Sequence, residues 1–384
     1  MKPIRIFDAD VNFQAEISNY ESLMFTRSFH GIGDLELRIN RYKNYTDTLQ
    51  KGNVIVVDKD LHKAYKIMHR EIELDQSGKA TENWLINALE LKSVVGQRIT
   101  LPPVHTSHDN RSASAETVMK HYISNNVITP VDGKRKIPQL ILATDLIRGP
   151  QVNWQSRFKN VAEEMAEMSL MSGIGWGARI DYALRKWVFD VYEGRDLSVN
   201  QSINSPVIFS PLFDNIKNMH YVDSDLNYRN TAYIAGQGEG VERRVVELGQ
   251  AVGLSRHELF VDARDVSEET EDEEPVPRPP QDIINDLINR GEQKLAELIQ
   301  ETFLEAQVMT NSTFKYEADW DLGDIVTTQY TDWGITLDAR ITEVKEIYEP
   351  ETGFTLEATF GNNRPTLISK IKQELTGMKA EITR

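Results

Sequence analysis

Ser255 and His257 lie in the stretch GLSRH, the closest approach to a catalytic motif in this sequence. A nucleophile elbow places its serine between two glycines, on a sharp turn from a strand to a helix. Here the second glycine is missing, and the flanking sequence predicts no strand-to-helix turn. We therefore interpret residues 253–257 as a polar loop and expect no catalytic serine.

The glycine-rich stretch GIGWG at residues 173–177 resembles a dinucleotide-binding fingerprint, but its neighbours are in the wrong order. A phosphate cradle follows a strand and opens a helix whose N-terminus faces the anion. Here the glycines follow a helical pattern and precede a strand pattern. We expect Gly173 to end a helix and the other glycines to allow close backbone packing.

Histidines and acids form no recognisable metal pattern. His105, His108 and His121 have ligand chemistry for zinc, but they lie near a predicted loop and lack an HExxH context. The 59 acidic residues make accidental carboxylate pairs inevitable, so such pairs are no evidence for glycoside cleavage. These patterns predict no metal, no cofactor and no enzymatic activity.

The composition excludes several classes of protein. The chain has 384 residues, no cysteine and a formal net charge of −16. The absence of cysteine excludes disulfides and thiolate metal sites, and the acidity argues against a protein that wraps nucleic acid. The sequence has no run of 18 apolar residues, so we expect no membrane insertion. Acids near the N-terminus argue against a signal peptide.

Residues 1–102 predict an N-terminal β-domain. Leu35, Leu37 and Ile39 alternate with charged residues, which is the period-two pattern of a half-buried strand. Gly33 lies in the turn signal before this strand. Five or more antiparallel strands with short connections favour a small barrel or sandwich.

The middle of the chain mixes helix and strand patterns. Ser114 is a predicted N-cap of one helix, and a second helix is predicted from about Ser156 to a stop at Gly173. Strand patterns follow. We divide this region into an α+β insert domain, residues 103–200, and a β-rich insert domain, residues 201–266.

The stretch SEETEDEEPVPRPP at residues 267–280 marks an abrupt change of composition. Like charges and prolines at this density do not pack into a core, which predicts a solvated linker. Beyond it we expect a helix at residues 281–307, a C-terminal β-domain at residues 308–364 and an amphipathic tail at residues 365–384.

A short sequence pattern occurs near each end of the chain. Gly52 is followed by NVIV and Gly323 by DIVT, so each glycine and a turn-favouring Asn or Asp precede a β-branched strand. Further strand patterns follow in the same order in both copies. Either these are two ordinary meanders that look alike, or a β-domain is duplicated.

A duplication predicts an α+β protein that is mostly β. Two similar small β-barrel or meander domains then lie at the two ends, with an α+β body between them. The glycines expected to form structural turns in these domains are Gly33, Gly52, Gly323 and Gly353.

Most of the six tryptophans fall within strand patterns, where core packing is expected. Trp154 and Trp333 lie near predicted turns instead. We therefore consider these two as candidates for interface contacts.

The sequence resembles the tail-hub proteins of long-tailed phages, specifically the siphophage tail-tip (Tal-like) hub family. The stretches that carry the resemblance are spread in order over nearly the whole chain: YESL and FTR at residues 20–27, GDLEL at 33–37, QRITLP at 97–102, SLMSGIGW at 169–176, AGQGEG at 235–240, VDARD at 261–265 and DLGDIV at 321–326.

The resemblance implies a homotrimeric structural hub in the virion, assembled in the cytoplasm of the host bacterium. Its two β-domains are then expected to form a pseudo-hexameric ring that closes or extends the tail tube and lies on the DNA exit path. The implied partners are the distal tail or tail tube protein, the C-terminus of the tape measure protein, and a tail fibre or receptor-binding protein.

Two other functions stay open from the sequence, a tail-associated peptidoglycan hydrolase and a receptor-binding module. Hubs of this family often continue into such a domain. Here the sequence stops about two dozen residues after Phe360. We therefore expect a bare hub.

Overall fold

The computed structural model describes residues 2–73, 82–270, 276–351 and 353–361. Three α-helices lie in this part of the chain: α1 Ala115–Ile123, α2 Val161–Ser172 and α3 Pro280–Ala296. The strands are β1 Ile4–Phe7, β2 Phe13–Ile17, β3 Ser22–Ser28, β4 Asp34–Asn40, β5 Val54–Val57, β6 Ala64–Glu71, β7 Asn83–Glu90, β8 Asp109–Ser114, β9 Leu140–Leu142, β10 Gln151–Ser156, β11 Gly175–Asp181, β12 Lys186–Tyr192, β13 Asp196–Leu197, β14 Ile208–Phe209, β15 Ile216–Ser224, β16 Thr231–Ala235, β17 Val245–Leu248, β18 Glu258–Asp262, β19 Glu301–Val308, β20 Ile325–Tyr330, β21 Ile335–Glu349 and β22 Gly353–Gly361.

One large sheet joins strands from both ends of the chain. Its hydrogen-bonded order is β15-β19-β22-β21-β3-β4-β7-β6-β5-β1-β2, and β20 joins it through β21 with β13 and β14 alongside. The mostly β architecture is confirmed. The expected barrels are not: among the described strands no barrel closes, because β21 of the C-terminal region pairs directly with β3 of the N-terminal region.

The same strand order occurs twice within this sheet. The order β3-β4-β7-β6-β5, which we name the first repeat, has its counterpart in β15-β19-β22-β21-β20, the second repeat. The flanking strands differ. In the first repeat β1 pairs antiparallel with β5, whereas in the second repeat β13 and β14 pair parallel with β20.

Alternating apolar residues explain why the repeat strands form. In β4, Leu35, Leu37 and Ile39 are buried as expected, and they join a core built by the first repeat. The second repeat encloses its own core, which includes Val344 and Phe360. Each repeat thus buries one apolar face, which is the main contribution to its stability.

The body consists of residues 91–192 and packs on strands β1, β5 and β6 through a separate apolar core. Ser114 caps α1 as expected, since its hydroxyl accepts a hydrogen bond from the backbone N–H of Thr117. Helix α2 begins at Val161 and not near Ser156, because the side chain of Asn160 provides the cap. Gly173 ends α2 as expected.

Helix α3 covers the small sheet β17-β16-β18. The expected helix at residues 281–307 is correct only as far as Ala296, since residues 301–308 form strand β19. Phe303 fits the apolar spacing of the expected helix, but β19 lies between β15 and β22 and its backbone pairs with both.

The acidic stretch at residues 267–280 lies partly outside the described residues, which omit 271–275. On either side of that gap, Thr270 donates its N–H to the carbonyl of Val276, and Arg278 donates to that of Glu268. The predicted tail at residues 365–384 also lies outside the described residues. In the part of the chain that is described, no helix has the length and apolar character to cross a bilayer.

Candidate assembly site at the junction of the repeats

Gly52 and Gly323 occupy the same place in the two repeats. Gly52 donates its N–H to the carbonyl of Ile67 at 2.9 Å, and Gly323 donates to that of Ile341 at 2.8 Å. Their φ angles are +94° and +92°. Because this backbone conformation is unfavourable for residues with a Cβ atom, glycine fits both turns.

A matching irregularity follows each turn. The pairing of β6 with β7 shifts between Ile67 and His69, and the pairing of β21 with β22 shifts between Ile341 and Glu343. Each shift marks a bulge that inserts one extra residue. The two repeats therefore correspond at the turn and at the bulge, with Ile67 in the place of Ile341.

The repeats meet edge to edge at an antiparallel pairing of β21 with β3. Six pairs of residues lie opposite each other: Glu343 and Ser28, Val344 and Arg27, Lys345 and Thr26, Glu346 and Phe25, Ile347 and Met24, Tyr348 and Leu23. Directly opposed residues point to the same side of a sheet. Val344, Glu346 and Tyr348 thus face the cores, while the residues between them face away.

Buried charges cross this junction on the core side. Lys63, which is 0% exposed and precedes β6, forms ion pairs with Glu346 and Glu317 of the second repeat. The hydroxyl of Tyr348 donates to the second carboxylate oxygen of Glu346 at 2.6 Å. Burial, together with the neighbouring Glu346 carboxylate, raises the pKa of Tyr348 far above its ordinary value.

A second ion pair across the junction borders a polar cleft. The guanidinium of Arg27 lies 3.1 Å from the carboxylate of Asp321 and donates to the hydroxyl of Tyr316 at 3.0 Å. The cleft beside it has a volume of about 420 Å³ and is lined by residues of both repeats and of the body, including Lys92 and Trp176. These contacts fix the two repeats against each other and against the body.

The side of the sheet that faces away from the repeat cores carries acidic residues. We name it the acidic face and define it by Glu36, Glu305, Glu343 and Glu357, which the strand pairings place on one side. Burial raises the pKa of Glu343 to about 7, and the nearby carboxylates of Glu90 and Asp34 add to this shift.

Two further glycines that the sequence marks as turns have different surroundings. At Gly33 a Cβ atom would lie 2.0 Å from the backbone oxygen of Thr26, and the Gly33 N–H donates to Glu90 at 2.6 Å. Gly353 has a φ of +74°, and a Cβ atom there would meet open space. Gly33 is therefore required because another backbone segment approaches it closely. Gly353 is favoured because its backbone has a positive φ.

The two candidate interface tryptophans lie in different environments. Trp154 is 1% exposed, and its indole N–H donates to the buried carboxylate of Glu164. The interface expectation for Trp154 is therefore wrong in this structure, since strand β10 directs the ring into the body core. Trp333 is 52% exposed and packs edge-on against Tyr330.

The residues with possible catalytic or metal chemistry have structural contacts. The hydroxyl of Ser255 donates to the carbonyl of Val252. His108 pairs with Asp265 at 2.9 Å and His121 with Asp109 at 2.8 Å. No group of three or more possible metal ligands occurs among the residues that the structure describes.

No local sequence pattern indicates the Lys63 and Glu346 pair. The two residues are 283 positions apart. Lys63 directly precedes β6, and Glu346 lies in β21. Aligning the two copies on Gly52 and Gly323 would identify equivalent strand edges. The register in which β21 pairs with β3, however, depends on tertiary structure. The pair therefore becomes visible only when β21 is placed beside β3.

The fold is shared with solved phage tail proteins. The 43 kDa tail protein of prophage MuSo2 from Shewanella oneidensis is 13% identical, has a TM-score of 0.55, and is matched over 93% of this chain and 98% of that one. The tail protein from Neisseria meningitidis MC58 is 12% identical, with a TM-score of 0.54 and coverages of 94% and 97%. Prophage tail protein gp18 from Listeria monocytogenes EGD-e is 12% identical, with a TM-score of 0.50 and coverages of 99% and 100%.

At these identities the similarity shows a common fold. No curated protein sequence matches this chain. The sequence matches one family, described as Siphovirus ReqiPepy6 Gp37-like protein, over residues 3–362. This match and the shared fold confirm the resemblance to siphophage tail proteins. The chain belongs to the family of Siphovirus ReqiPepy6 Gp37-like proteins.

Proposed function

We propose that the chain is a structural hub of a phage tail tip and assembles as a homotrimer. Three copies supply six repeats, which form a ring of pseudo-six-fold symmetry that closes or extends the tail tube. The observation that carries this proposal is the edge-to-edge pairing of two repeats with the same strand order within one chain. The shared fold with phage tail proteins supports it.

The junction is a contact of the kind from which a ring can be built. In the pairing of β21 with β3, the two repeats make contact through different edges. β3 is the first strand in the order of its repeat, whereas β21 is the fourth strand in the order of its repeat. Such a head-to-tail contact generates a closed ring when the rotation between units divides a full turn, and an open filament otherwise. Two such units per chain match a three-fold tip to a six-fold tube.

The partners follow from the family resemblance. The ring would contact the hexameric distal tail or tail tube protein on one side, and the C-terminus of the tape measure protein inside. A tail fibre or receptor-binding protein is the partner at the opposite end. Trp333, exposed in the turn before β21, is a candidate contact residue for one of them.

We assign the acidic face to the channel wall. Arg38 pairs with Glu36 on this face and Lys345 lies opposite Glu357, but the four glutamates outnumber these two cations. An excess of negative charge repels the phosphate backbone, so DNA passes without adhering. Replacing Glu305 and Glu357 by lysine, on this account, slows DNA ejection. Unchanged ejection kinetics in phage carrying both substitutions would contradict the assignment.

The experiment that tests the hub function is electron microscopy of the purified protein viewed along its symmetry axis. The proposal predicts a closed ring with six similar lobes. Lobes of the first and second repeat alternate around the ring, so its true symmetry is three-fold. Particles without a ring at every concentration would contradict it. A peptidoglycan zymogram on the same sample separates the hub from a hydrolase, because the hub predicts no clearing.

A further inference from the structure

Each repeat leaves one strand edge without a partner in the described part of the chain. Strand β15 is an end strand of the large sheet and pairs only with β19. Strand β6 pairs with β5 only at residues 64–66, so its edge at residues 69–71 has no strand beside it among the described residues. Unpaired edges are sites where another strand adds readily.

These two edges correspond to the edges that pair within the chain: β6 corresponds to β21, and β15 corresponds to β3. The bulges place His69 in the position of Glu343, so residues 69–73 correspond to 343–347 of β21. Likewise Tyr221 lies opposite Leu304 as Phe25 lies opposite Leu35, so residues 220–224 correspond to 24–28 of β3. Tyr221 also packs against the core of its repeat, as Phe25 does.

We propose that β6 of one copy of this chain pairs antiparallel with β15 of the next copy, in the register of β21 with β3. This inference rests on the proposed hub function and names its contact between copies. The repeat correspondence gives five opposed pairs: His69 with Ser224, Arg70 with Asp223, Glu71 with Val222, Ile72 with Tyr221 and Glu73 with His220.

The side chains in this register complement each other on the core side. Arg70 lies opposite the exposed carboxylate of Asp223, and its buried Nε has no hydrogen-bond acceptor among the described residues. An acceptor from a neighbouring copy would satisfy that donor. Ile72 lies opposite Tyr221, which extends the apolar contact between the repeats.

The other side of the register pairs a carboxylate with an imidazole. Glu73 lies opposite His220, whose side chain is 64% exposed beside Glu305. A slip by one residue would place Arg70 against Val222 or Ser224 and turn the side chains of β15 to the wrong face. The pairing of Arg70 with Asp223 therefore favours this register over its neighbours.

Cysteine cross-linking tests the register directly, because the natural chain contains no cysteine. The double variant Arg70→Cys/Asp223→Cys places two thiols on directly opposed residues, where a disulfide forms readily. Mild oxidation is expected to give a covalent trimer on a denaturing gel, reversed by reductant. The control Arg70→Cys/Lys217→Cys places the thiols about 20 Å apart along β15, and no covalent trimer is expected.

Charge reversal provides a test that needs no oxidation. Arg70→Asp and Asp223→Arg each create a like-charge contact, and each is expected to raise the protein concentration for half-assembly about tenfold or more. The double variant Arg70→Asp/Asp223→Arg restores assembly. Lys217→Asp, which makes the same charge change as Arg70→Asp outside the register, leaves assembly unchanged.

The outcomes separate this inference from the hub function on which it rests. A trimer by light scattering that gives no Arg70→Cys/Asp223→Cys cross-link, and no rescue by the double reversal, overturns the register and leaves the hub function standing. A monomer at all concentrations with no cross-link overturns both. A cross-linked trimer together with rescue supports both.

Discussion

Lys63 of the first repeat and Glu346 of the second form a buried ion pair across the junction of the two repeats. Both side chains are 1% exposed, and Glu346 also accepts a hydrogen bond from Tyr348. A buried charge is tolerated only when it is paired and hydrogen-bonded. The pair therefore restricts how the repeats can be arranged, and the proposed ring depends on that arrangement.

Removing one partner of this pair is expected to destabilise the chain strongly. Lys63→Met leaves the buried carboxylate of Glu346 without its closest cation, since the partly exposed ammonium of Lys2 lies farther away at 3.9 Å. The change is expected to cost about 3–5 kcal/mol of unfolding free energy. Denaturant titration measures this loss. The double variant Lys63→Met/Glu346→Gln is expected to recover a large part of it.

An exposed ion pair is the matched control. Arg5 and Glu16 lie 2.8 Å apart with both side chains partly exposed, and Arg5→Met is expected to cost about 1 kcal/mol or less. Equal losses for Lys63→Met and Arg5→Met would contradict a special role of the junction pair.

The equivalent glycines are expected to differ in sensitivity. Gly52→Ala forces a residue with a Cβ atom into φ of +94° but meets no neighbour, so the cost is about 1–2 kcal/mol. Gly323→Ala has the same strain, and its Cβ atom would also lie 2.3 Å from the ring of Phe29. Its loss in unfolding free energy should exceed that of Gly52→Ala.

Gly133→Ala is the control, since it has open space and no positive φ. Thermal melting of the three variants measures the order. If Gly323→Ala melts at the temperature of Gly133→Ala, the close packing against Phe29 has no energetic role.

The raised pKa of Glu343 is expected to make the free energy of unfolding depend on pH. Its pKa of about 7 in the folded chain lies above the ordinary glutamate value, so the folded state binds a proton more tightly than the unfolded state. The stability from this proton is complete below the unfolded pKa and is lost as pH rises through about 7.

The variant Glu343→Gln keeps the shape of the side chain and removes the titration. The stability of the natural chain minus that of Glu343→Gln should fall between about pH 5 and 7, with a slope of up to about 1.4 kcal/mol per pH unit. Denaturation at several pH values measures this difference. A pH-independent difference would contradict the raised pKa.

Substitutions at Trp154 and Trp333 are expected to affect stability differently, because the first residue lies in the core and the second on the surface. Trp154→Phe removes the donor to Glu164 and leaves a buried acceptor without it, which costs about 1–3 kcal/mol. Trp333→Ala removes an exposed ring and changes stability by about 0.5 kcal/mol or less. If Trp333 contacts a tail partner, Trp333→Ala phage should assemble tails poorly despite a stable hub protein.

The sequence predicted those parts of the fold that depend on local patterns. Alternation at Leu35, Leu37 and Ile39 gave β4, and the capping hydroxyl of Ser114 gave the start of α1. The similarity around Gly52 and Gly323 pointed to the repeat. These features are encoded within a few neighbouring residues, so they can be read without knowing the fold.

Other features depend on contacts between distant residues. Phe303 fits a helical spacing as well as a strand, and the pairing of β19 with β15 and β22 stabilises the strand. Of the expected barrel or meander domains, no closed barrel occurs among the described strands, because an edge of one repeat pairs with an edge of the other. The Lys63 and Glu346 pair has no local signal for the same reason.

The molar mass of the purified chain by light scattering tests the central claim most directly. The measurement is made over a range of concentrations at low and high salt. The hub account predicts a stable species of three times the 43.9 kDa chain mass. A strict monomer under all these conditions would contradict a ring that this chain forms by itself.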